Sequence, residues 1–409
     1  MGQKMVREEC QGKNVVETGV DRLLASHFGV LQNAKVGVIT NASGVFQNLK
    51  HLVDVLHEAP EVDLVAIFGP EHGFRSASQA GSSETFYIDP RTKLPVYDTY
   101  LKSGKSLSDI FEKAGVDILL FDIQDVGARF FTYIWTMYDC MVAAAASTQP
   151  IKFVVLDRPN PVGGTILDGP LMKPAFSSFV GRKAIPLRHA MTVGELAMLF
   201  NAEYLPSDST KQRYQQVDLE VVAMNGWNRS MYFRDTGLLW VPPSPNIPSS
   251  ETCLFYLGMA LFEGSNCSEG RGTALPFQMI GASWIDYHLV EHLQQHDCPG
   301  VLFREACFTP SSSKFAGETI DGLQVHITDA ELFNPIRTAL TILSSLLKLY
   351  PKHFQWRVDG SVHWVDMLLG TNSIREGINR GESVDELMAS WQDDVMWFDV
   401  MRRKYLIYV

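Results

Sequence analysis

The sequence predicts an α/β fold in which a doubly wound, mostly parallel sheet is followed by a smaller α+β region. In the first half, short apolar runs rich in β-branched residues alternate with amphipathic helical patterns. This alternation is typical of right-handed βαβ units. It stops at a proline-rich segment, residues 241–248. The length of 409 residues also favours two domains, because one hydrophobic core rarely serves more than about 250–300 residues.

Five apolar runs of the first half are predicted as strands of the sheet. Their apolar residues are consecutive rather than alternating, as expected for strands that are covered on both faces. The runs are residues 36–40, 62–68, 116–122, 153–157 and 219–223. Helices are predicted around residues 20–28 and at 49–58, 132–147 and 192–204. Thr192 and Glu195 have the spacing of a capping box at the start of the last helix.

The proline-rich segment is predicted to separate two domains. Four prolines in eight residues exclude a helix or a central strand at 241–248. The sequence therefore predicts a first domain at residues 1–240 and a second at 241–409. In the second domain, the pattern predicts a helix, a glycine-rich loop and a β pair before mostly helical sequence, at residues 250–263, 264–272, 300–308 and 323–328.

Composition and charge narrow the classes of function. The net charge is −11 and no run of Lys and Arg is long enough to make a clustered basic face, which disfavours nucleic acid or an anionic membrane surface as the main partner. No stretch reaches the ~18–20 apolar residues of a membrane span. Residues 1–14 lack the apolar core of a secretory signal, so the chain as it stands is expected in the cytoplasm, or in the periplasm or outside the cell if a leader has been removed. The six scattered cysteines are expected to be reduced thiols.

Polar loops follow four of the predicted strands. In open α/β sheets these loops form the ligand crevice. Each loop contains glycine or proline, and three of them carry carboxylates. One such loop could be an ordinary turn, but four together are hard to explain in that way. The candidate site residues of these loops are Asn41, Glu71, His72, Arg75, Asp122, Asp125, Arg129, Asp157 and Asn160.

Glu71 lies in the segment Gly-Pro-Glu-His-Gly at residues 69–73. A partly desolvated carboxyl at the end of a buried strand suits a general acid near neutral pH. The alternative is that Glu71 caps the next helix or pairs with Arg75. His72 is either a substrate contact or a scaffold residue.

Three further aspartates allow several interpretations. Asp122 and Asp125 could orient a substrate hydroxyl, pair with Arg129, or bind a divalent cation. The cation is the weakest of these options, because no metal-ligand spacing accompanies the two residues. Asp157 is either an acceptor for a sugar hydroxyl or a turn former before proline.

The glycine-rich segment at residues 262–273 is the polar candidate of the second half. Its glycines separate side chains that can contact a polar ligand: Glu263, Asn266, Glu269 and Arg271. An arginine between two glycines can grip a carboxylate bidentately, whereas no phosphate-binding fingerprint is present. An ordinary surface loop is the alternative. Asn246 in the proline-rich segment is a further candidate, and Trp227, Trp240 and Trp284 could stack on sugar rings or belong to the core.

The inventory of side chains favours one reaction class. No Gly-x-Ser-x-Gly elbow is present, so nucleophilic acyl transfer is poorly supported. A cleft between two domains that is rich in carboxylates, asparagines and arginines matches glycoside hydrolysis, which typically uses one protonated and one ionised carboxyl. No cofactor and no metal ion are predicted.

Six motifs in order resemble the exo-β-N-acetylmuramidase family of peptidoglycan hexosaminidases. They are Val-Ile-Thr-Asn at 38–41, Gly-Pro-Glu-His-Gly at 69–73, Phe-Asp-Ile-Gln-Asp-Val-Gly-Ala-Arg at 121–129, Asp-Arg-Pro-Asn-Pro at 157–161, and the segments 241–248 and 262–273. The resemblance implies a Rossmann-like N-terminal domain, a smaller C-terminal domain and an active site in the cleft between them. It also implies release of N-acetylmuramic acid from the non-reducing ends of fragments such as MurNAc-GlcNAc.

The resemblance implies that Glu71 is the catalytic acid. Glu269 or Asp122 would be the second carboxylate, as a nucleophile or as the base for water, unless the 2-acetamido oxygen of the substrate attacks instead. On chemical grounds, Arg271 or Arg129 would hold the lactyl carboxylate of muramic acid. The alternatives are another β-hexosaminidase, a nucleotide-sugar enzyme, which the missing phosphate fingerprint disfavours, or a non-catalytic muropeptide-binding protein.

Overall fold

A mostly parallel sheet forms the centre of the N-terminal half. The computed structural model describes residues 15–207 and 215–409, so the predictions for residues 1–14 and for Cys10 lie outside the described residues. The strands within the described part are β1 Lys35–Thr40, β2 Asp63–Gly69, β3 Tyr87–Ile88, β4 Pro95–Asp98, β5 Ile118–Asp122, β6 Lys152–Leu156 and β7 Asp218–Val222. Their order is β3-β4-β2-β1-β5-β6-β7, and only the β3–β4 pair is antiparallel among these neighbours.

The sheet contains every strand that the apolar runs predict, together with two that they do not. The additional strands, β3 and β4, lie at the sheet edge beside β2. They are short, and β4 begins with a proline and ends with an aspartate, so neither presents a continuous apolar run. Pro95 is tolerated because it is the first residue of β4, where a missing N–H donor disturbs the sheet least.

Helices cover both faces of this sheet. They are α1 Gly19–Ala25, α2 Leu52–Glu58, α3 Lys105–Ala114, α4 Tyr133–Ala146 and α5 Val193–Leu199. One face packs α1 and α2 against strand residues such as Val38 and Leu120. The other packs α3, α4 and α5 against residues such as Ile39 and Phe121. Successive strand residues thus enter opposite cores, which explains the consecutive apolar positions and confirms the doubly wound arrangement.

The C-terminal half is a smaller α+β unit, as predicted. Its antiparallel sheet has the order β8-β10-β9 and is formed by β8 Met279–Ala282, β9 Val301–Phe308 and β10 Ile320–Ile327. A hairpin pairs β11 Val358–Asp359 with β12 Val362–His363. The helices are α6 Thr252–Met259, α7 His288–Leu293, α8 Pro335–Leu349, α9 Trp364–Leu369, α10 Ser373–Arg380, α11 Val384–Ala389 and α12 Gln392–Arg402.

The two halves share one hydrophobic core and several buried hydrogen bonds. Asp168 in the N-terminal half accepts hydrogen bonds from Asn334 Nδ2 (2.8 Å) and Trp391 Nε1 (3.0 Å). Near the chain end, the Tyr408 hydroxyl donates to Asp157 Oδ2 at 2.6 Å. The cluster that contains α4 also contains α6, α8 and α9. The relative position of the halves is therefore fixed by packing rather than by the linker alone.

The structure also bears on membrane-spanning helices and on the state of the cysteines. No helix of the described residues is long and apolar enough to cross a membrane. The five cysteines within residues 15–207 and 215–409 are free thiols, of which Cys140, Cys253 and Cys267 are buried.

Candidate active site

A cavity of about 660 Å³ lies between the two halves, beside the carboxyl end of β2. Its volume is within the ~300–1,000 Å³ that is usual for small-molecule sites. The loop after β2, the start of α4 and the proline-rich segment line one side, and the glycine-rich loop and the hairpin region line the other. The polar and charged lining residues include Glu71, His72, Tyr100, Thr132, Ser244, Asn246, Glu263, Glu269, Arg271, Lys314 and Arg357.

Glu71 is held in this cavity by two uncharged donors. The backbone N–H of Gly81 donates to Oε1 at 2.8 Å, and the Thr132 hydroxyl donates to Oε2 at 2.7 Å. Together they fix the plane of the carboxyl group without placing a cation against it. Burial and the neighbouring Glu71 charge raise the pKa of Tyr100, so this phenol in the cavity wall keeps its proton. The predicted alternative, pairing with Arg75, is wrong.

His72 and Gly73 shape the loop that delivers the Gly81 donor. His72 has a positive φ of 69°, and its Nδ1 lies 2.8 Å from the Ser78 carbonyl oxygen. Gly73 has a φ of 81°, and a Cβ at this position would lie 1.9 Å from Glu84 Oε1. The segment Gly-Pro-Glu-His-Gly therefore needs both its last glycine and its histidine for the turn, while His72 also lines the cavity wall.

A network of four charges forms the opposite wall. Glu269 contacts Arg271 Nε at 3.3 Å and Lys314 Nζ at 3.0 Å. Arg271 also donates through Nη2 to Glu263 Oε1 at 2.7 Å. Burial opposes the charge of Arg271, but the two glutamates outweigh it and raise the pKa of the guanidinium. The glycine-rich loop thus brings Glu263, Glu269 and Arg271 together at the cavity.

Asp122 is not a catalytic carboxylate in this structure, which corrects the sequence prediction. Its side chain is fully buried and forms a bidentate ion pair with Arg158, at 2.5 and 2.8 Å. It does not line the cavity. A buried aspartate that is bound by an arginine supports the loop after β6 instead of reaching a substrate.

Several other predicted substrate contacts are buried structural residues. Asp125 accepts a hydrogen bond from Gly127 N and faces His189 Nε2. Asp157 receives donors from Thr192 and Gly194 at the start of α5. Both aspartates are therefore bound to neighbouring residues of the protein and are not directed at a ligand. For the same reason Asn160, which donates to the Met191 carbonyl, is not available to a ligand.

Arg129 is likewise unavailable to a substrate carboxylate. It is fully buried, and its guanidinium donates to the carbonyl oxygens of Pro170, Ile185 and Leu368 at 2.6 to 2.8 Å. Its function is to connect the loop after β5 with the C-terminal half. The prediction that Arg129 could hold the lactyl group is therefore wrong.

Two further predictions are corrected by contacts outside the cavity. The Arg75 guanidinium pairs with Asp89 at 3.1 Å. Asn266 donates through Nδ2 to the His353 carbonyl and accepts from Gln355 N, so it ties the glycine-rich loop to the segment before the hairpin. Neither residue lines the cavity.

The proline-rich segment explains why the crevice lies where it does. The carbonyl oxygen of Pro243 accepts hydrogen bonds from Asn41 Nδ2 (3.1 Å) and from the Tyr133 hydroxyl (2.6 Å). The segment is therefore attached to the loop after β1 and to the start of α4, and Asn41 binds it rather than a ligand. The open part of the crevice is displaced toward β2 and Glu71. Asn246 lines this cavity from the segment itself.

The cavity also contains residues that the sequence did not single out. They are Tyr100, Thr132, Lys314, Arg357 and Trp364. Most stand outside the recognised motifs, and only the aromatic and basic character of their segments would have signalled them. Trp227, Trp240 and Trp284 pack against other aromatic rings and do not line the cavity. Within the described residues, no group of three or more His, Cys, Asp or Glu side chains is placed to hold a metal ion.

The fold and the site define a class of protein: a two-part α/β protein with a carboxylate-lined cavity suited to a sugar. Two family models divide nearly the whole chain between them. The model for the N-terminal domain of exo-β-N-acetylmuramidase NamZ matches residues 36–251, and the model for its C-terminal domain matches residues 254–408. The chain belongs to the exo-β-N-acetylmuramidase NamZ family.

Individual relatives agree with this assignment. The chain is 45% identical over 403 residues to the peptidoglycan β-N-acetylmuramidase NamZ of Bacillus subtilis strain 168, covering 98% of this chain and 94% of that protein. Two crystal structures of DUF1343 family proteins from Bacteroides fragilis NCTC 9343 are similar. One has a TM-score of 0.84 at 34% identity, covering 96% of this chain and 99% of the other, and the second has 0.74 at 31%, covering 97% and 99%.

Proposed function

We propose that this protein is an exo-acting β-N-acetylmuramidase, a glycosidase that releases N-acetylmuramic acid from the non-reducing ends of peptidoglycan fragments such as MurNAc-GlcNAc. Membership of the NamZ family and the name of the Bacillus subtilis relative support this proposal. The observation that carries it is the contrast between two kinds of carboxyl in one cavity. Glu71 has only uncharged donors, whereas Glu263 and Glu269 are ion-paired.

This contrast assigns the general acid. Glu71 can carry a proton without losing an ion pair, and it delivers that proton to the glycosidic oxygen as the bond breaks. The Thr132 hydroxyl can accept from the protonated carboxyl and donate to the carboxylate that remains. It therefore stays bonded to Oε2 on both sides of the proton transfer.

Glu269 supplies a fixed negative charge. Its side chain is only 3% exposed and is held by Arg271 and Lys314, so it cannot turn away from the cavity. An anion in this position stabilises the positive charge that develops on the sugar ring in an oxocarbenium-like transition state. Glu263, with one cationic partner, or the 2-acetamido oxygen of the substrate remains to attack the anomeric carbon.

The test compares chromogenic β-glycosides of N-acetylmuramic acid and N-acetylglucosamine. We expect the wild-type protein to cleave only the muramic acid glycoside, and Glu71→Gln to lose ~10²–10⁴-fold in kcat because the general acid is removed. Glutamine keeps the size of the side chain and an acceptor for Gly81. Glu291→Gln, a change at an exposed residue of α7, is the matched control and should leave kcat unchanged.

The other outcomes assign different functions. Equal cleavage of both glycosides would indicate a general β-hexosaminidase. Binding of N-acetylmuramic acid without turnover, measured by calorimetry, would indicate a muropeptide-binding protein. Full activity of Glu71→Gln would remove Glu71 from its assigned role.

A further inference from the structure

A muramic acid residue differs from glucosamine by a lactyl ether that carries a carboxylate, and the cavity offers a few cations to bind it. Among the described residues, the Arg and Lys side chains that line the cavity are Arg271, Lys314 and Arg357. Their existing contacts decide which of them is free to receive a further anion. This inference rests on the proposed function.

Lys314 has no donor left for a ligand. Its ammonium group contacts the carbonyl oxygens of Phe262 and Cys267 at 2.8 and 2.7 Å, and Glu269 Oε2 at 3.0 Å. An ammonium group has three N–H donors, and these three oxygens use them all. Lys314 is therefore a structural cation of the opposite wall.

Arg271 is neutralised by its neighbours. Glu263 and Glu269 both lie against its guanidinium, at 2.7 and 3.3 Å, and the charge of Lys314 does no more than balance the second glutamate. The charges of Arg271, Lys314 and the two glutamates sum to zero, so a third carboxylate brought to Arg271 would gain no net attraction from this group. Arg271 is thus suited to orient Glu269 rather than to bind the lactyl group.

Arg357 has a different environment. Its guanidinium lies 4.5 Å from the ring centroid of Trp364, which also lines the cavity, and this stacking fixes its orientation. Its Nε and Nη2 contact Asp359 at 3.3 and 2.7 Å. Both partners of this ion pair are more than 40% exposed, so the pair is weak and a better-placed anion can replace or share it.

The indole of Trp364 has a polar atom of its own. Its Nε1 is buried and has no hydrogen-bond partner within the described part of the chain. A buried donor without a partner is costly, and a ligand oxygen or a water molecule removes that cost.

We infer that Arg357, stacked on Trp364, binds the lactyl carboxylate of the muramic acid residue and so determines the preference for muramic acid over uncharged sugars. The arginine contacts a part of the substrate that does not react. Its loss is therefore expected to raise KM and to leave kcat nearly unchanged.

The test uses two chromogenic β-glycosides, one of N-acetylmuramic acid and one of the same sugar with the lactyl carboxylate converted to the primary amide. We expect the wild-type protein to prefer the acid by ~10-fold or more in kcat/KM, because a charge-assisted contact is involved. Arg357→Met, which keeps an unbranched apolar side chain but removes the guanidinium, should bring this ratio close to one through a higher KM for the acid. Arg357→Lys should restore part of the preference.

Two further variants test whether the effect is specific to Arg357. Arg380 forms the same kind of exposed pair, with Glu382 two residues further on and outside this cavity, so Arg380→Met should leave both substrates unaffected. Asp359→Asn frees Arg357 from its competitor and should lower KM for the acid. An unchanged acid-to-amide ratio in Arg357→Met overturns the inference, whereas a wild-type protein that cleaves neither glycoside overturns the proposed function itself.

Discussion

At the scale of single residues, the hydroxyl of Thr132 is the contact that distinguishes Glu71 from an ordinary surface glutamate. Thr132 immediately precedes α4, where a threonine often caps the helix, but its side chain makes no capping hydrogen bond. The hydroxyl is directed to Glu71 Oε2 instead, at 2.7 Å. The helix thus gives up a local stabilising contact in favour of the cavity.

Replacing this hydroxyl tests its role without disturbing the helix cap. Thr132→Val keeps the shape of the side chain, and we expect it to lower kcat/KM by ~10-fold, because one hydrogen bond to the carboxylate is lost. Thr132→Ser, which keeps the hydroxyl, should retain the wild-type kcat/KM, and equal kcat/KM values for all three proteins would contradict this role.

At the scale of secondary-structure elements, Asp157 joins the end of β6 to the start of α5. It accepts hydrogen bonds from Thr192, Gly194 and Tyr408, and it is fully buried. Burial raises the pKa of Asp157 to about 7, against the opposing effect of these hydrogen bonds. The native state therefore holds a proton that the unfolded chain releases near pH 4.

The sign of the resulting pH dependence follows from proton binding. Between about pH 4 and pH 7 the native state binds more protons at Asp157 than the unfolded state does, so this residue's contribution to stability is full below pH 4 and falls as pH rises to 7. The wild-type protein should lose unfolding free energy relative to Asp157→Asn over this range, by about 1.4 kcal/mol per pKa unit. Urea unfolding at several pH values measures the difference. Parallel curves would contradict the raised pKa, and Asp63→Asn, an exposed change at the start of β2, is the control.

At the scale of the whole molecule, Asp168 joins the two halves that enclose the cavity. Asn334 and the indole of Trp391 both donate to it from the C-terminal half. Its removal leaves these two donors and the backbone N–H of Gly169 without this acceptor. Each such donor costs about 1–3 kcal/mol.

Asp168→Ala is therefore expected to lower the unfolding free energy by about 3 kcal/mol or more. Because the hydrophobic core is continuous across the halves, unfolding should remain a single transition by both fluorescence and circular dichroism. Asp385→Ala, which removes an exposed ion pair with Arg337 on the surface, should change little. Two separated transitions in the wild-type protein would show that the halves are independent.

Local patterns were sufficient for the elements that depend on local physics. The strands β1, β2, β5 and β6 follow from consecutive apolar runs, because burial on both faces leaves that signature in the sequence itself. The run at 219–223 also predicted β7, although the residues of this edge strand are only half-buried or exposed. The capping box of α5 is confirmed, since Thr192 and Glu195 exchange the expected hydrogen bonds. By contrast, α5 continues into a π-helical turn at Phe200–Tyr204, which no spacing of apolar residues indicated.

The sequence by itself determined the α/β class, the position of Glu71 at a strand end and the family, because these depend on local composition and on motifs in order. Only the tertiary structure decided which polar loop residues face the cavity. Asp122 has a carboxylate like Glu71, but it is paired with Arg158. Arg129 has a guanidinium like Arg271, but it donates to three backbone carbonyl oxygens. Their partners are distant in sequence, and so is Pro243 of the proline-rich segment, which binds Asn41. Hydrogen-bond partners separated by tens to hundreds of residues leave no local signal in the sequence. Whether a polar loop residue has a structural role or contacts the substrate is therefore decided only when the chain folds.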